Sequence, residues 1–464
     1  MKVPTVRALL RTLSSSSPSN RAARRTGPRV GKALDSPQWS AVTQVASRFG
    51  VVYSGLYCLT TPQILLSVIG GGLGHRQKAA DAWAKVWAIR PVRQWVAARV
   101  FDTTVGDHFD GGDNRYAWVG QFCWLTAAAA ATGLWSALDR HRPRTGDVTS
   151  DARFRLLVRM CLAGQMFHYG AAKVVPLQFQ LPLAKLVEPF GNFSPMTALW
   201  SQTGASKPYQ VLLGCAEIAG GLLLLLPRTT TPGALLCALE LTQVFILNMT
   251  YDVPVKLHSL HLLLLSLVLL APETARLVEF SLSRREVRPA VSSELFRTRR
   301  ANRIAAAAQV AAGLWMLGAQ LRNDRRFWTA FGPGRAKPEL YGIWNVDAYE
   351  CDGRDRPALT TDGRRWRRLV VESVDVVTVQ HMDDSFDLHA ATIDMAGRSI
   401  TLLKMTDPQW KATLALVRVG DDRLTLEGDV DGHHVRLRLS RLDLDSLPLV
   451  GRGFNWVQES SSLR

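Results

Sequence analysis

Residues 154–175 read FRLLVRMCLAGQMFHYGAAKVV, and the fold turns on how this stretch is interpreted. Its length suits a bilayer crossing, which takes ~17–25 predominantly apolar residues. Yet it carries Gln165, His168, Tyr169 and Lys173. At helical spacing Gln165, Tyr169 and Lys173 fall on one side. A helix in water turns such a side outward, whereas a helix in lipid turns it toward its neighbours. The surrounding sequence selects the second reading. Apolar runs of comparable length recur at 49–69, 116–138, 209–226, 232–249, 257–270 and 304–321. The seven runs predict an all-α polytopic membrane bundle of about seven spans within residues 46–325.

The formal net charge of +17 raises the possibility of nucleic-acid binding, so its distribution matters. Residues 335–464 are close to neutral. The basic excess lies in segments flanking the apolar runs. Arg7, Arg11, Arg21, Arg24, Arg25, Arg29 and Lys32 precede the first; Arg140, Arg142, Arg144, Arg153 and Arg155 separate the second and third. Arg284, Arg285, Arg288, Arg297, Arg299, Arg300 and Arg303 separate the sixth and seventh. Cytoplasmic loops collect Lys and Arg. The expected arrangement is therefore a multi-pass protein of the cell (inner) membrane, with a cytoplasmic N-terminus and an exported C-terminal domain. Its partner is the lipid bilayer, and nucleic acid is excluded as one.

Three local features qualify this frame. Residues 74–115 hold Arg76, Lys78, Lys85, Arg90, Arg93 and Arg99 with Trp83, Trp87 and Trp95, which predicts an interfacial amphipathic helix. Residues 1–45, serine- and arginine-bearing, read as a disordered basic tail or as a targeting segment. Cys58, Cys123, Cys161, Cys215 and Cys237 lie in apolar runs as small hydrophobes, while Cys351 stands apart. Without a CxxC pair, neither a dithiol motif nor a zinc finger is expected.

After residue 335 the pattern changes to β-branched alternation at 368–378, 385–393, 398–403, 411–419, 422–428 and 433–439. Asp352-Gly353, Ala396-Gly397, Gly420-Asp421 and Asp431-Gly432 mark turns between them. Residues 335–464 thus predict a small all-β domain, a lipocalin-like barrel or a sandwich. Gly342-Ile343-Trp344 resembles the Gly-x-Trp that opens lipocalins. There the tryptophan would plug one end of the barrel.

Polar residues within the apolar runs are the candidate site. Glu217 precedes the small pair Gly220-Gly221, which allows close helix approach. Glu240, Gln243 and Asn248 lie on the next run, and Tyr251, Asp252, Lys256, His258 and His261 lead into the one after. One reading is a pocket in which Lys173, Glu217 and Glu240 face a ligand or relay protons. The other is helix pairing, with Lys173 and Arg159 each neutralising one glutamate. His258 and His261, three residues apart, lack a clear third ligand, so no metal is assigned.

Tyr169-Gly170-Ala171-Ala172-Lys173, Leu186-Val187-Glu188-Pro189-Phe190-Gly191, Glu217-Ile218-Ala219-Gly220-Gly221 and Asn248-Met249-Thr250-Tyr251-Asp252-Val253-Pro254-Val255-Lys256 resemble the DoxX-like membrane family over about residues 150–275. The preceding runs are distantly similar to the transmembrane module of vitamin-K-dependent γ-carboxylase, where a lysine belongs to the active site; Lys173 would correspond. The resemblance implies a helical membrane bundle with an appended β-domain, linked to quinone or thiol redox systems. Quinone is the cofactor it implies, and a membrane or exported redox partner would follow. Three functions remain open: quinone-like or lipid-like ligand binding at Tyr169, Lys173, Glu217, Glu240, Gln243, Asn248, Tyr251, Asp252, Lys256 and His258; a lysine-centred membrane enzyme with Lys173 catalytic; and a non-catalytic assembly or transport component.

Overall fold

In the computed structural model, which describes residues 40–69, 82–83, 89–106, 112–139, 148–282, 294–407 and 409–459, helices occupy the first part of the chain and strands the second. The expected basic tail lies almost wholly outside these residues, as do the arginines of 140–147 and 283–293. Described helices are α1 (Ala41–Thr60), α2 (Pro62–Val68), α3 (Ile89–Val100), α4 (Arg115–Leu138), α5 (Val148–Val174), α6 (Pro195–Ala205), α7 (Lys207–Leu224), α8 (Thr230–Thr250), α9 (Lys256–Leu270), α10 (Thr274–Leu282) and α11 (Arg299–Ala330). Ser40, Asn114, Ser194 and Thr298 cap α1, α4, α6 and α11 by accepting from a backbone N–H three residues on.

The expected bundle of seven spans is overturned. Among the described residues, three helical stretches are long and apolar enough to cross a bilayer: Pro227–Thr250, Lys256–Leu282 and Arg299–Ala330. A fourth arises if α1 and α2, bent by 74°, count as one broken span. Composition alone pooled runs that are helical but too polar. Helix α5 carries Asp151, Arg153, Arg155, Arg159 and Lys173; α7 begins Lys-Pro-Tyr-Gln and contains Glu217. Pro62 sits at the first turn of α2, where its missing N–H costs nothing, and this is where the run 49–69 breaks. The expected interfacial helix is described only in part, as α3, and there the placement of Arg93 is corrected. Residues 70–81 and 84–88 lie outside the described set; in α3, Trp95 is exposed but Arg93 turns inward and is buried.

Helix α5 is the hub, packing against α1, α2, α7, α9 and α11. Its tightest partner is α7. A Cβ on Gly214 would lie 2.6 Å from the Gly170 carbonyl oxygen and 2.8 Å from Lys173 Cβ, so only glycine permits this approach. Gly221 meets the Phe167 ring on α5, and Gly220 meets Cys237 on α8. The small pair therefore holds α7 between two helices. Tyr57, Ile64, Leu162, Phe167, Leu265 and Met316 belong to the apolar core of this part. The outer face is apolar too: Leu134, Leu138, Leu212, Leu239, Ile246 and Trp315 are exposed. Buried among the helices instead are Gln165, Lys173, Gln210, Glu217 and Gln320. Apolar outside and polar within is the distribution lipid favours over water.

Strands β1 (Gly342–Cys351), β2 (Arg354–Asp355), β3 (Trp366–Val371), β4 (Val376–His381), β5 (Phe386–Asp394), β6 (Ser399–Lys404), β7 (Lys411–Val419), β8 (Arg423–Val430) and β9 (His433–Arg441) form one antiparallel sheet. Strands β1 and β3–β9 pair in chain order, and β1 pairs with β9, so eight strands close a barrel. A barrel, not a sandwich, is the β-domain. The run 368–378, read as one strand, is two: Ser373 Oγ accepts from Val376 N at 3.1 Å and turns the chain between β3 and β4. Burial alternates along β7 and β9, filling the interior with Leu414, Leu416, Leu437 and Leu439. Trp344 is fully buried among them and donates from Nε1 to the Leu340 carbonyl at 2.9 Å.

The barrel sits on the segment after α5. Leu183, Ile343 and Val370 form a small core across the junction. Leu183 N donates to Glu372 Oε1 at 2.7 Å, and Gln380 Nε2 donates to the Val187 carbonyl at 3.2 Å. Burial pushes the Glu372 carboxyl above its ordinary range.

Replacing Trp344 by Ala should cost about 3–5 kcal/mol, through the cavity it leaves, measured as an earlier unfolding transition of the full chain in denaturant. His389 is buried beside Trp410, with rings 4.6 Å apart, and neither ring nitrogen has a hydrogen-bond partner among the described residues. Burial holds its pKa below the usual imidazole value. The unfolded chain therefore binds the proton more readily, and stability falls as pH drops below ~6.5. Thermal melts of His389→Phe between neutral and mildly acid pH should show a shallower loss than wild type; an unchanged slope contradicts this.

Candidate functional site

Two tyrosine–histidine pairs occupy the space between α1, α4, α5 and α9. Tyr53 and Tyr57, four residues apart, lie on one face of α1; His258 and His261, three apart, lie on the facing side of α9. Tyr57 hydroxyl and His258 Nδ1 are 2.8 Å apart, as are Tyr53 hydroxyl and His261 Nε2. The Tyr57 and His261 rings stack at 4.2 Å, with Trp124 edge-on to Tyr57 at 5.6 Å.

The hydrogen bonds assign each tautomer. Gln165 Nε2 donates to Ser67 Oγ (2.7 Å) and to the Gln63 carbonyl (3.0 Å), which leaves its Oε1 facing His258 Nε2 at 3.1 Å. His258 therefore donates from Nε2, and its Nδ1 accepts from the Tyr57 hydroxyl. In His261, Nδ1 faces the Leu257 carbonyl and must donate, so Nε2 accepts from the Tyr53 hydroxyl. Gln121 Nε2 in turn donates to Tyr53. Gln63 Nε2 donates to the Tyr169 hydroxyl at 2.7 Å, joining α2 to α5. In its neutral form each imidazole thus engages one donor and one acceptor.

A narrow cleft with an internal volume of about 70 Å³ opens onto this network. Its walls include Tyr57, Tyr116, Trp124, Ile89 and Pro62, with His258, His261, Gln63, Gln121 and Arg93 as polar groups. The Arg93 guanidinium lies 4.5 Å from the Tyr116 ring centroid and 5.1 Å from that of Trp124, a cation held against aromatic faces. Gly120 makes room for it: a Cβ there would lie 2.3 Å from Arg93 Cζ. The floor is set by Asp113, whose two carboxylate oxygens accept from Lys256 N (2.6 Å) and Leu257 N (3.0 Å) at the start of α9.

The residues singled out in the sequence divide into three groups. Tyr169 and His258 belong to the network just described. Lys173 Nζ donates to both oxygens of Glu217 at 2.7 Å, sealed between α5 and α7, and lies 5.7 Å from the Tyr169 ring. Glu240 approaches the same pair across Gly220; its oxygens are buried and have no hydrogen-bond partner among the described residues. The others lie elsewhere. Gln243 is exposed, Asn248 Nδ2 donates to Ser259 Oγ at 3.0 Å, and Tyr251 is half-buried where α8 ends. Lys256 Nζ donates to exposed Asp252 at 2.8 Å. Arg159 pairs with neither glutamate; it donates to the Leu224 and Leu225 carbonyls at 2.8 and 2.6 Å and closes the C-terminus of α7.

Tyr53, Tyr57, Gln63, Arg93, Gln121 and Trp124 were not among the predicted site residues. The four-residue spacing of Tyr53 and Tyr57 was the available signal, since two hydroxyls on one side of an apolar run need partners.

Over 112 residues, 24% of this chain and 71% of the relative, the sequence is 33% identical to the uncharacterized protein YwoB of Bacillus subtilis (strain 168). No family model and no solved structure matches the chain.

A sealed pair is costly to break singly, at about 3–5 kcal/mol, and cheaper to replace whole. Lys173→Met and Glu217→Gln should each lower the melting temperature in detergent, and the double variant should melt closer to wild type than either. Equal losses in all three would contradict a neutralising pair.

Proposed function

We propose that this chain, which belongs to the same family as the uncharacterized YwoB of Bacillus subtilis, is a membrane-embedded protein whose cleft binds a quinone-like or lipid-like ring compound. The observation that carries this reading is the pairing of aromatic walls with a few fixed polar groups. A small-molecule site is mostly apolar and orients its ligand with a handful of donors and acceptors. Here Tyr57, Tyr116 and Trp124 supply faces for a flat ring, while Gln63 and Gln121, each with one amide hydrogen left over, supply donors for carbonyls. Arg93 adds a buried positive charge held against the aromatic walls. Tyr169–Lys173 and 248–256, the segments that resemble DoxX-like proteins, border the same network, and the choice of a quinone rests on that resemblance.

The reading places the cleft on the exported side. Arg155 and Arg159 engage the Leu269 carbonyl and the end of α7, and Arg48 pairs with Asp139; these arginines gather at the opposite helix ends from the cleft. The chain enters the barrel from the cleft end of α11. Positive charge retained in the cytoplasm would leave the cleft and the barrel outside, with Arg90 and Arg93 in the cleft and Arg322, Arg325 and Arg326 near the end of α11 counting the other way. The lysine-centred alternative is disfavoured because both Glu217 oxygens hold the Lys173 ammonium.

The test is tryptophan fluorescence of the detergent-purified full chain, titrated with a short-chain benzoquinone or naphthoquinone, beside mass spectrometry of compounds carried through purification. Saturable quenching is expected. Removing one hydrogen-bonding group is worth about 0.5–1.5 kcal/mol, so Gln121→Leu should weaken binding roughly 2–13-fold. Gln243→Ala, outside the cleft, should not. Absence of quenching, with no ring compound carried through, rejects the proposal.

A further inference from the structure

We propose that Cys351, Asp352 and His433 form a binding site for a divalent transition metal, zinc above all, at the barrel rim remote from the helices. Strand β1 begins at the junction with the helical part, through Ile343, and ends at Cys351. At that far end two turns meet. Asp352-Gly353 turns the chain into β2 with φ of 51° and 73°, and Asp431-Gly432 turns β8 into β9 with φ of 49° and 80°. The closing pair β1–β9 sets Cys351 opposite Val435, which brings the first turn against His433 and His434.

The carboxylate between them is held in place by backbone. Asp352 N donates to the His434 carbonyl at 2.8 Å, and His434 N donates to Asp352 Oδ1 at 3.0 Å. That leaves Asp352 Oδ2 directed at His433 Nδ1, 2.9 Å away, and at Cys351 Sγ, 3.9 Å away. All three donor atoms lie within 4.8 Å of one another. A tetrahedral zinc with bonds of roughly 2.0–2.3 Å needs donors roughly 3.3–3.8 Å apart. A small adjustment of exposed side chains meets that requirement. The Asp352–His433 contact alone reads as a surface ion pair, but such a pair does not call for a thiol beside it.

The donor set names the class of metal. Thiolate and imidazole suit zinc and its neighbours, whereas magnesium and calcium take oxygen ligands. Binding would transfer the Cys351 thiol proton to solvent and use the neutral Nδ1 lone pair of His433. Three protein ligands leave the fourth position to solvent. His434 is no ligand: its ring faces Glu427 and Asp429, both at 3.6 Å.

The test uses the tag-free full chain in mild detergent, stripped with chelator and titrated with cobalt(II) as a spectroscopic stand-in for zinc. One cobalt per chain is expected, with a thiolate-to-metal charge-transfer band that zinc displaces. Cys351→Ser should abolish the band, and Asp352→Asn and His433→Ala should weaken binding at least tenfold. His433→Cys should restore binding, and His434→Ala should stay within about twofold of wild type. No band, a band that survives Cys351→Ser, or equal affinity across the variants overturns the proposal.

Discussion

Lys173 and Glu217 meet between α5 and α7, and neither is tolerable there without the other. Much of the helical part is arranged around that constraint. The two helices must approach closely enough for the ammonium to reach both carboxylate oxygens, and Gly170 and Gly214 allow it by bringing backbone against backbone. Gly221 admits the Phe167 ring of α5 on that same face, and Gly220 accepts α8 on another. Arg159, one further charge on α5, is satisfied not by a carboxylate but by the last carbonyls of α7. Helix α5 therefore holds α7 by one charge at mid-helix and another at its C-terminus, with glycine contacts along the same face.

The same rule, that a buried polar group needs a partner, organises the space on the other side of α5. Gln165 spends its amide on α2 and so turns its oxygen toward His258. That choice fixes the imidazole tautomer, which fixes the direction of the Tyr57 hydroxyl. Four helices are joined by one directed set of hydrogen bonds, and its exposed edge is the wall of the cleft. A site built this way is preorganised: its polar groups are already oriented before anything binds. Glu240 is the exception, a buried carboxyl beside an already neutral pair.

The barrel contributes rigidity of another kind. Its closure through β1 and β9 removes the open sheet edge, and its docking through Leu183, Ile343 and Val370 ties it to the segment that follows α5. The two ends of β1 consequently differ. One is buried against the helical part, while the other carries Cys351 and Asp352 into solvent, where two turns converge.

Much of this architecture could be read from residues. Alternating Leu and Val at 411–419 and 433–439 declared strands because side-chain direction in a strand follows sequence parity. Gly220-Gly221 announced a close helix contact because a missing side chain has few other uses in an apolar run. Tyr169 and Lys173 belonged to an inward face because lipid offers charge and hydroxyl no partner. Other features were decided only in three dimensions. The number of spans differs because length hides charge: α5 carries Asp151, Arg153, Arg155, Arg159 and Lys173, and α7 carries Lys207 and Glu217, so neither is apolar enough to cross a bilayer by composition. Which glutamate Lys173 would choose, where Arg159 would turn, and that Arg93 would leave the interface for two aromatic rings depended on distances between residues far apart in the chain. Periodicity places a residue on a face; only packing decides what that face meets.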